Sequence, residues 1–279
     1  MRNKELPIGF MDSGLGGLSV LIEAVREMPG EDFLYYGDSL NAPYGVKSQE
    51  EIKRLTYHVV SILLEKGIKG LAVACNTATG AAVRSLREDY PDLPIVGIEP
   101  AIKPAVEMNK GGRIIVLATP MTIAQEKYKK LVQRFKGDTD LVSVPCPGLM
   151  EFVEHGDLEG PELYDYFEEH LKRHLTSDTE TIVLGCTHYP FIKPRLQEYL
   201  KGRDIEIIDG SLGTARELKR RLDEKDLLRT SGEAGKIVLM NSSESPEMYE
   251  RGKLLLTNAG ISLPLEWKVP EGRMRCPHA

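Results

Sequence analysis

Short apolar runs alternate along the chain with longer stretches in which apolar residues recur every three or four positions. This alternation is typical of an α/β protein with a mostly parallel sheet. Ser48 and Glu51 form a capping box ahead of one amphipathic stretch, which ends near Gly67 and predicts a helix. The pattern predicts eight strands, at residues 8–11, 32–36, 70–74, 95–98, 113–118, 140–144, 181–184 and 205–208. A further strand at 237–240 and a helix at 246–258 follow, and the end of the chain around Trp267 has no assigned element.

The second half of the predicted elements repeats the first. Ile8 and Ile114 lie in matching strands 106 residues apart, and the offset reaches 111 residues between Cys75 and Cys186. The local sequences agree, because AVACNTAT and IVLGCTHY both place Cys-x-Thr after an apolar strand. We infer two α/β lobes that arose by internal duplication and face each other across a cleft.

Cys75 and Cys186 each follow a predicted strand, one in each lobe. Parallel α/β sheets bind ligands at the carboxyl ends of their strands, so the two thiols are predicted to face one ligand from opposite sides. Asp12, in the segment DSGLGG, is a candidate proton-transfer partner for Cys75, and His188 is the candidate for Cys186. Two acid–base groups on opposite faces of one carbon can remove a proton and return one to the far face, which racemises or epimerises that carbon. The glycine-rich loop 14–17 suits a substrate carboxylate held by backbone N–H groups.

Other interpretations of these residues stay open. Buried cysteines are often simple core residues, and Cys146 and Cys276 keep that interpretation. A two-lobed protein that binds an amino acid without chemistry would also explain the duplication. Cys186 with His188 suggests nucleophilic acyl transfer. That reaction leaves Cys75 unexplained, and a residue two positions along the chain seldom activates its neighbour well.

Composition argues against several further classes of function. The net charge is −6, and the densest basic cluster, residues 219–221, lies beside acidic residues, so we expect a solvated helix face and no nucleic-acid partner. No apolar run approaches the ~20 residues of a membrane span and no signal-peptide pattern is present, so we expect a cytoplasmic protein. The four cysteines lack metal-site spacing, and the sequence has no dinucleotide fingerprint or P-loop. We therefore expect no disulfide, metal or cofactor.

Several segments together resemble the glutamate racemase family, within the cofactor-independent aspartate/glutamate racemase superfamily. They are DSGLGGLSV (12–20), APYG (42–45), ACNTAT (74–79), IEPA (98–101), CPGLMEFVE (146–154), GCTHYP (185–190) and DG (209–210). The resemblance runs from about residue 8 to about residue 222, and CNTAT and GCTHYP in this order are its most specific parts. Competing members of the superfamily are aspartate racemases, hydantoin racemases and decarboxylases, of which the last use one cysteine.

The resemblance implies a fold of two pseudo-symmetric lobes, each a mostly parallel sheet flanked by helices, with the active site in the cleft between them. It implies a discontinuous N-terminal lobe of residues 1–99 and 209–279 and a second lobe of residues 100–208. It also implies cofactor-independent interconversion of L- and D-glutamate, which supplies D-glutamate for peptidoglycan. The expected assembly is a homodimer.

The resemblance also implies roles for individual residues. Cys75 would take the proton from D-glutamate with help from Asp12, and Cys186 would take it from L-glutamate with help from His188 and Glu154. The implied substrate contacts are Asp12, Ser13, Tyr44, Gly45, Asn76, Thr77, Thr119, Thr122, Thr187 and His188. The chain departs from the family pattern at Ala42, where Asp is usual, at Gln125, where Ser is frequent, and at Glu151, where an apolar residue or Pro is common.

Overall fold

The computed structural model describes residues 4–243 and 245–268, so Cys276 lies outside the described residues. The strands are β1 Ile8–Asp12, β2 Phe33–Gly37, β3 Gly70–Val73, β4 Ile95–Gly97, β5 Arg113–Ala118, β6 Leu141–Pro145, β7 Thr179–Leu184, β8 Glu206–Asp209, β9 Ile237–Asn241 and β10 Leu265–Trp267. The α-helices are α1 Leu18–Glu27, α2 Gln49–Glu65, α3 Asn76–Asp89, α4 Ile102–Met108, α5 Pro120–Ala124, α6 Glu126–Lys136, α7 Leu149–His155, α8 Pro161–His170, α9 Lys193–Tyr199, α10 Ser211–Glu224 and α11 Pro246–Asn258.

The strands form two parallel sheets. The first sheet has the order β10-β9-β2-β1-β3-β4, and the second has the order β6-β5-β7-β8. Helices cover the sheets, as the long apolar strands of a parallel sheet require. The predicted α/β class with mostly parallel sheets is therefore confirmed.

The two sheets share one topology. In the first sheet the strands β1 to β4 lie in the order 2-1-3-4, and β5 to β8 lie in the equivalent order in the second sheet. The strands that precede Cys75 and Cys186 are β3 and β7, which hold equivalent places in these orders. The common topology supports the internal duplication inferred from the sequence offsets.

The predicted strands and the observed strands agree to within two residues, and the predicted helix 246–258 is α11. Ser48 caps α2 as predicted, because its hydroxyl accepts a hydrogen bond from the Glu51 N–H at 3.2 Å. The segment around Trp267 forms β10, a strand that the sequence pattern does not predict. Trp267 packs against Tyr249 of α11, with ring centroids 5.2 Å apart, so the last described segment adds a sixth strand to the first sheet.

The basic cluster at 219–221 lies on α10, where Arg220 and Arg221 both pair with Glu217. Their side chains are partly exposed, which confirms the predicted solvated helix face. None of the helices in the described residues combines the length and apolar character needed to cross a membrane.

Candidate active site

Cys75 and Cys186 occupy equivalent positions, each two residues beyond the end of its strand. Both thiols are free and buried, with 5% and 8% of each residue exposed. Their surroundings meet at the DSGLGG loop, because the Ser13 hydroxyl lies 3.6 Å from the Cys75 Sγ. A Cβ at Gly16 of the same loop would collide with the ring of His188, whose Nδ1 lies 3.6 Å from the Cys186 Sγ. The carboxyl ends of β3 and β7 thus meet at one buried site.

Cys75 lies at the N-terminus of α3. Its Sγ accepts a hydrogen bond from the Ala78 N–H at 3.5 Å and lies 3.6 Å from the Ser13 hydroxyl. Burial raises the pKa of Cys75 to about 12, and the nearby Asp12 carboxylate adds to the rise. The hydrogen bonds from Ala78 and Ser13 favour the thiolate but are outweighed. At neutral pH Cys75 is therefore a protonated thiol.

Asp12 ends β1 and is fully buried. Its Oδ2 accepts hydrogen bonds from the N–H groups of Gly14, at 3.0 Å, and Gly17, at 2.9 Å, and from the Tyr35 hydroxyl at 3.3 Å. Burial raises the pKa of Asp12, while the positive charge of His188 and the two backbone hydrogen bonds limit the rise.

The glycine-rich loop corrects one prediction. Its N–H groups at Gly14 and Gly17 donate to Asp12, and the Leu15 N–H donates to Glu154 Oε1 at 2.8 Å. The loop therefore binds two carboxylates of the protein itself, and these three N–H groups are not left to hold a substrate carboxylate. The carboxylates come from the end of β1 and from α7 and take the donors that a substrate carboxylate would need. The spacing of residues within the loop does not reveal these partners.

Cys186, His188 and Glu154 form a chain of polar contacts. The Cys186 Sγ lies 3.6 Å from His188 Nδ1, and His188 Nε2 lies 2.6 Å from Glu154 Oε1. His188 has helical backbone angles and leads into a 3-10 helix, Tyr189–Ile192. This turn folds the imidazole back onto Cys186, so a residue two positions along the chain contacts the thiol here.

The charges in this chain are coupled. Burial alone lowers the pKa of His188, but its contacts with Cys186 and Glu154 reverse the effect and raise that pKa well above its ordinary value. Burial alone raises the pKa of Glu154, but His188 outweighs it, and the net pKa of Glu154 is lowered. At neutral pH the pair is therefore an imidazolium and a carboxylate, with the cation beside the Cys186 sulfur. Glu154, not its helical neighbour Glu151, makes the contact with His188.

Two glycines of the DSGLGG loop are required by this chain of contacts. A Cβ atom at Gly16 would collide with the His188 ring, and one at Gly14 would collide with the Glu154 carboxylate. A larger residue at Gly16 would push the imidazole away from Cys186, and one at Gly14 would push the Glu154 carboxylate away from His188. The sequence signal for this close approach is the glycine pattern of the loop itself.

The remaining predicted substrate contacts surround the same region. Thr77 Oγ1 lies 3.2 Å from Thr122 Oγ1, and Thr119 Oγ1 donates to Thr122 Oγ1 at 2.9 Å. Gln125, the residue that departs from the family pattern, donates from Nε2 to the Thr77 carbonyl at 3.0 Å. The side chains of Thr77, Thr122 and Gln125 therefore join the start of α3 to α5 and to the residue that follows α5.

Thr187, Tyr44 and Gly45 lie at the edge of the site. The Thr187 carbonyl accepts a hydrogen bond from the Ser19 hydroxyl at 2.9 Å. The buried Tyr44 hydroxyl donates to Asp38 Oδ2 at 2.7 Å. Gly45 lies against Thr119, because a Cβ at this glycine would be 3.4 Å from the Thr119 Cβ. Asp38 was missed by sequence reasoning, although its position directly after β2 is the signal that could have found it.

Two buried acceptors at the site make no hydrogen bond within the described part of the chain. They are Asp12 Oδ1 and Asn76 Oδ1. Buried polar atoms in proteins nearly always have partners, and a buried acceptor without one is costly. A ligand with N–H donors would satisfy both.

Comparisons with known proteins agree with this geometry. The family model described as Asp/Glu/Hydantoin racemase matches residues 8–218. A Clostridium botulinum (strain Alaska E43 / Type E3) protein named glutamate racemase is 51% identical over 93% of this chain and 100% of its own length. The structure of glutamate racemase from Thermus thermophilus with beta-chloro-D-alanine has a TM-score of 0.78 and 32% identity, over 96% of this chain and 97% of that one. Glutamate racemase from Francisella tularensis in complex with D-glutamate has a TM-score of 0.81 and 26% identity, over 95% and 97% of the two chains. The chain therefore belongs to the Asp/Glu/Hydantoin racemase family, and within it to the glutamate racemases.

Proposed function

We propose that this protein interconverts L- and D-glutamate without a cofactor, by moving protons at the α-carbon between two cysteines. The observation that carries the proposal is the placement of Cys75 and Cys186 at equivalent strand ends of two sheets, within one buried site. Each thiol has its own polar neighbours, which a core cysteine does not need. Cys146 differs from them, because its buried thiol donates to the Val144 carbonyl at 3.4 Å and contacts the Tyr166 side chain, and neither group is a carboxylate or an imidazole.

The proton steps follow from the two thiol environments. For L-glutamate, the Cys186 thiolate takes the α-proton, the C–H bond breaks, an S–H bond forms and the electron pair stays on the substrate. The Cys75 thiol then gives its proton to the opposite face of the carbon, which leaves Cys75 as a thiolate beside Asp12. D-Glutamate follows the same steps in reverse. The starting protonation suits this order, because the pKa of Cys75 is raised to about 12 and His188 places a cation beside Cys186.

The polar groups of the site suit an amino acid substrate. The α-ammonium would donate to the unpaired acceptors Asp12 Oδ1 and Asn76 Oδ1. The α-carboxylate would accept from N–H groups at the start of α3, where the helix dipole favours an anion. The other substrate contacts that we propose are Ser13, Tyr44, Gly45, Thr77, Thr119, Thr122, Thr187 and His188. The Francisella tularensis relative, whose structure is named as a complex with D-glutamate, supports this choice of substrate.

The wider setting is proposed from the same family membership. D-Glutamate is a precursor of bacterial peptidoglycan, so we propose that the enzyme supplies it, as a cytoplasmic homodimer without nucleic-acid or membrane partners. We also propose a discontinuous N-terminal lobe of residues 1–99 and 209–279 around a second lobe of residues 100–208. The pairing of β9 with β2 supports this division, because it places a late strand in the first sheet.

Incubation of the pure protein with L-glutamate in D₂O tests the function. We expect loss of optical activity together with entry of one deuterium at the α-carbon, measured by circular dichroism and proton NMR. L-Aspartate and a 5-substituted hydantoin, run in parallel, separate the related racemases. Unchanged optical activity and no exchange with either enantiomer of glutamate would contradict the proposal and favour a binding protein or acyl transfer.

A further inference from the structure

Helix α11 lies outside the residues that match the family model, yet it reaches the active site. It packs on the start of α1, because a Cβ at Gly252 would lie 3.6 Å from Leu18 and 3.7 Å from Leu15. Leu15 is the residue whose N–H binds the Glu154 carboxylate. The preceding residue, Arg251, is partly buried, with 33% of its side chain exposed.

Arg251 contacts the helix that carries Glu154. Its Nη1 donates a hydrogen bond to the Glu154 backbone carbonyl at 2.5 Å. Glu154 is the penultimate residue of α7, and the last carbonyls of a helix have no donor within the helix. A cation at this end also interacts favourably with the helix dipole. Arg251 therefore caps α7 at the residue that binds His188.

We infer that Arg251 is a positioning residue for proton transfer at Cys186, acting through Glu154 and His188. This inference rests on the proposed racemase function. Arg251 fixes the backbone from which the Glu154 side chain reaches His188 Nε2, 2.6 Å away. On the opposite side of Glu154, the Leu15 N–H holds the same carboxylate. Glu154 is thus held at two points. Arg251 of α11 binds its backbone carbonyl, and the Leu15 N–H of the DSGLGG loop binds its carboxylate.

Charge supports the same role. His188, Asp12, Tyr35 and Arg251 are charged or titratable groups that interact with Glu154. Glu247, on the same helix as Arg251, lies 4.0 Å from the Arg251 guanidinium. Burial raises the pKa of Glu154, and the net lowering comes from His188 first, with the Leu15 N–H and Arg251 adding to it. Loss of the Arg251 cation would raise the pKa of Glu154. The carboxylate would then become protonated at a higher pH, and His188 would lose the anion that keeps it charged.

The test compares Arg251→Met and Arg251→Lys with Lys253→Met, which removes an exposed cation from the same helix. We expect Arg251→Met to lower kcat/KM about tenfold, because a hydrogen bond to a charged group is worth about a factor of ten or more. The acid limb of its pH profile should move to higher pH. Arg251→Lys should restore the limb and part of the rate, and Lys253→Met should match the wild type.

Isotope effects identify the thiol that is affected. With α-deuterated L-glutamate, the C–D bond breaks at Cys186, and with α-deuterated D-glutamate it breaks at Cys75. If Arg251 acts on the Cys186 step, the isotope effect on kcat/KM in Arg251→Met should rise for L-glutamate and fall for D-glutamate. A loss of packing alone would lower the melting temperature without moving the two isotope effects apart.

The possible failures are distinguishable. If the wild type does not racemise glutamate, the proposed function itself is wrong, and this result is obtained before any variant is made. If the wild type racemises glutamate and Arg251→Met keeps its rate, acid limb and isotope effects, the positioning role is wrong. A slow Arg251→Met with unchanged acid limb and isotope effects, and without rescue by Arg251→Lys, also overturns it, because Arg251 would then be only structural.

Discussion

The two sides of the site have the same topology and different chemistry. The Cys75 side consists of Asp12, Ser13, Cys75 and the start of α3, and the Cys186 side consists of Glu154, Cys186 and His188. On the Cys75 side the thiol faces a carboxylate, a hydroxyl and a backbone N–H, and its pKa is raised to about 12 by burial and Asp12. On the Cys186 side an imidazole lies against the thiol. The two thiols therefore occupy equivalent positions in the two sheets but have neighbours of opposite charge.

This difference suits a reaction that needs one base and one acid at the start. Two identical environments would give both thiols the same protonation state, and the site would then hold two acids or two bases. The protein gives the two thiols different surroundings, with an anion near the Cys75 sulfur and a cation near the Cys186 sulfur. The two sides are also tied together, because the Leu15 N–H of the DSGLGG loop donates to Glu154 on α7.

Removal of either thiol should have the largest effect on the rate of racemisation. Cys75→Ser and Cys186→Ser keep the shape of the side chain but replace the thiol with a much weaker acid. Each variant should lose about 1,000- to 10,000-fold in kcat/KM for racemisation, because each step needs its own proton carrier. The loss is measured by circular dichroism with both enantiomers of glutamate. Cys146→Ser, a buried cysteine outside the proposed machinery, should keep nearly the full rate.

Deuterium exchange at the α-carbon in D₂O shows which thiol acts on which enantiomer. Cys75→Ser retains Cys186, so slow deuterium exchange without inversion is expected for L-glutamate only. Cys186→Ser should show the reverse, with exchange for D-glutamate only. Exchange of the same enantiomer by both variants would show that the two thiols do not serve opposite faces.

The second prediction concerns the neighbours of the thiols. Asp12→Asn and His188→Asn each should lower kcat about 100-fold, which is within the ordinary contribution of a positioned acid–base group. Asn at position 12 can still accept the hydrogen bonds of Gly14 and Gly17 through its oxygen, so the DSGLGG loop should keep its shape. Equal thermal midpoints of the two variants and the wild type would show that only the chemistry is affected. Near-normal turnover in either variant would mean that its thiol works without that helper.

Much of this comparison was predictable from the sequence, because it depends on periodicity and on repeated text. Apolar runs place the strands, and the matched Cys-x-Thr segments place Cys75 and Cys186 at equivalent strand ends. The less predictable part depends on contacts between distant segments. His188 contacts Glu154 and not Glu151, and the loop N–H groups bind Asp12 and Glu154. The contacts of Glu154 depend on how α7 packs against the DSGLGG loop.

The last strand and Arg251 were harder to predict for a different reason. Strand β10 has only three residues, with Leu265 and Trp267 partly buried and Glu266 exposed, so its apolar alternation is too short to detect. It is a strand because β9 offers a free edge for pairing. The role proposed for Arg251 depends on a hydrogen bond to the backbone carbonyl of Glu154. Every residue has such a carbonyl, so the identity of the residue does not indicate the contact. Such a contact has no sequence signature.

The smallest predicted effect is a difference in thiol reactivity, and it tests the comparison without substrate. Because the pKa of Cys75 is raised to about 12, its thiolate fraction should rise about tenfold with each pH unit between about 7 and 11. Limited alkylation with iodoacetamide, followed by mass spectrometry of the two cysteine peptides, measures this directly. At about pH 7 we expect Cys186 to react faster than Cys75, because His188 stays protonated beside it. Asp12→Asn removes an anion and should speed alkylation of Cys75, whereas His188→Asn removes a cation and should slow alkylation of Cys186. Changes of the same sign in both variants would show that the two sides of the site do not differ in charge as the contacts indicate.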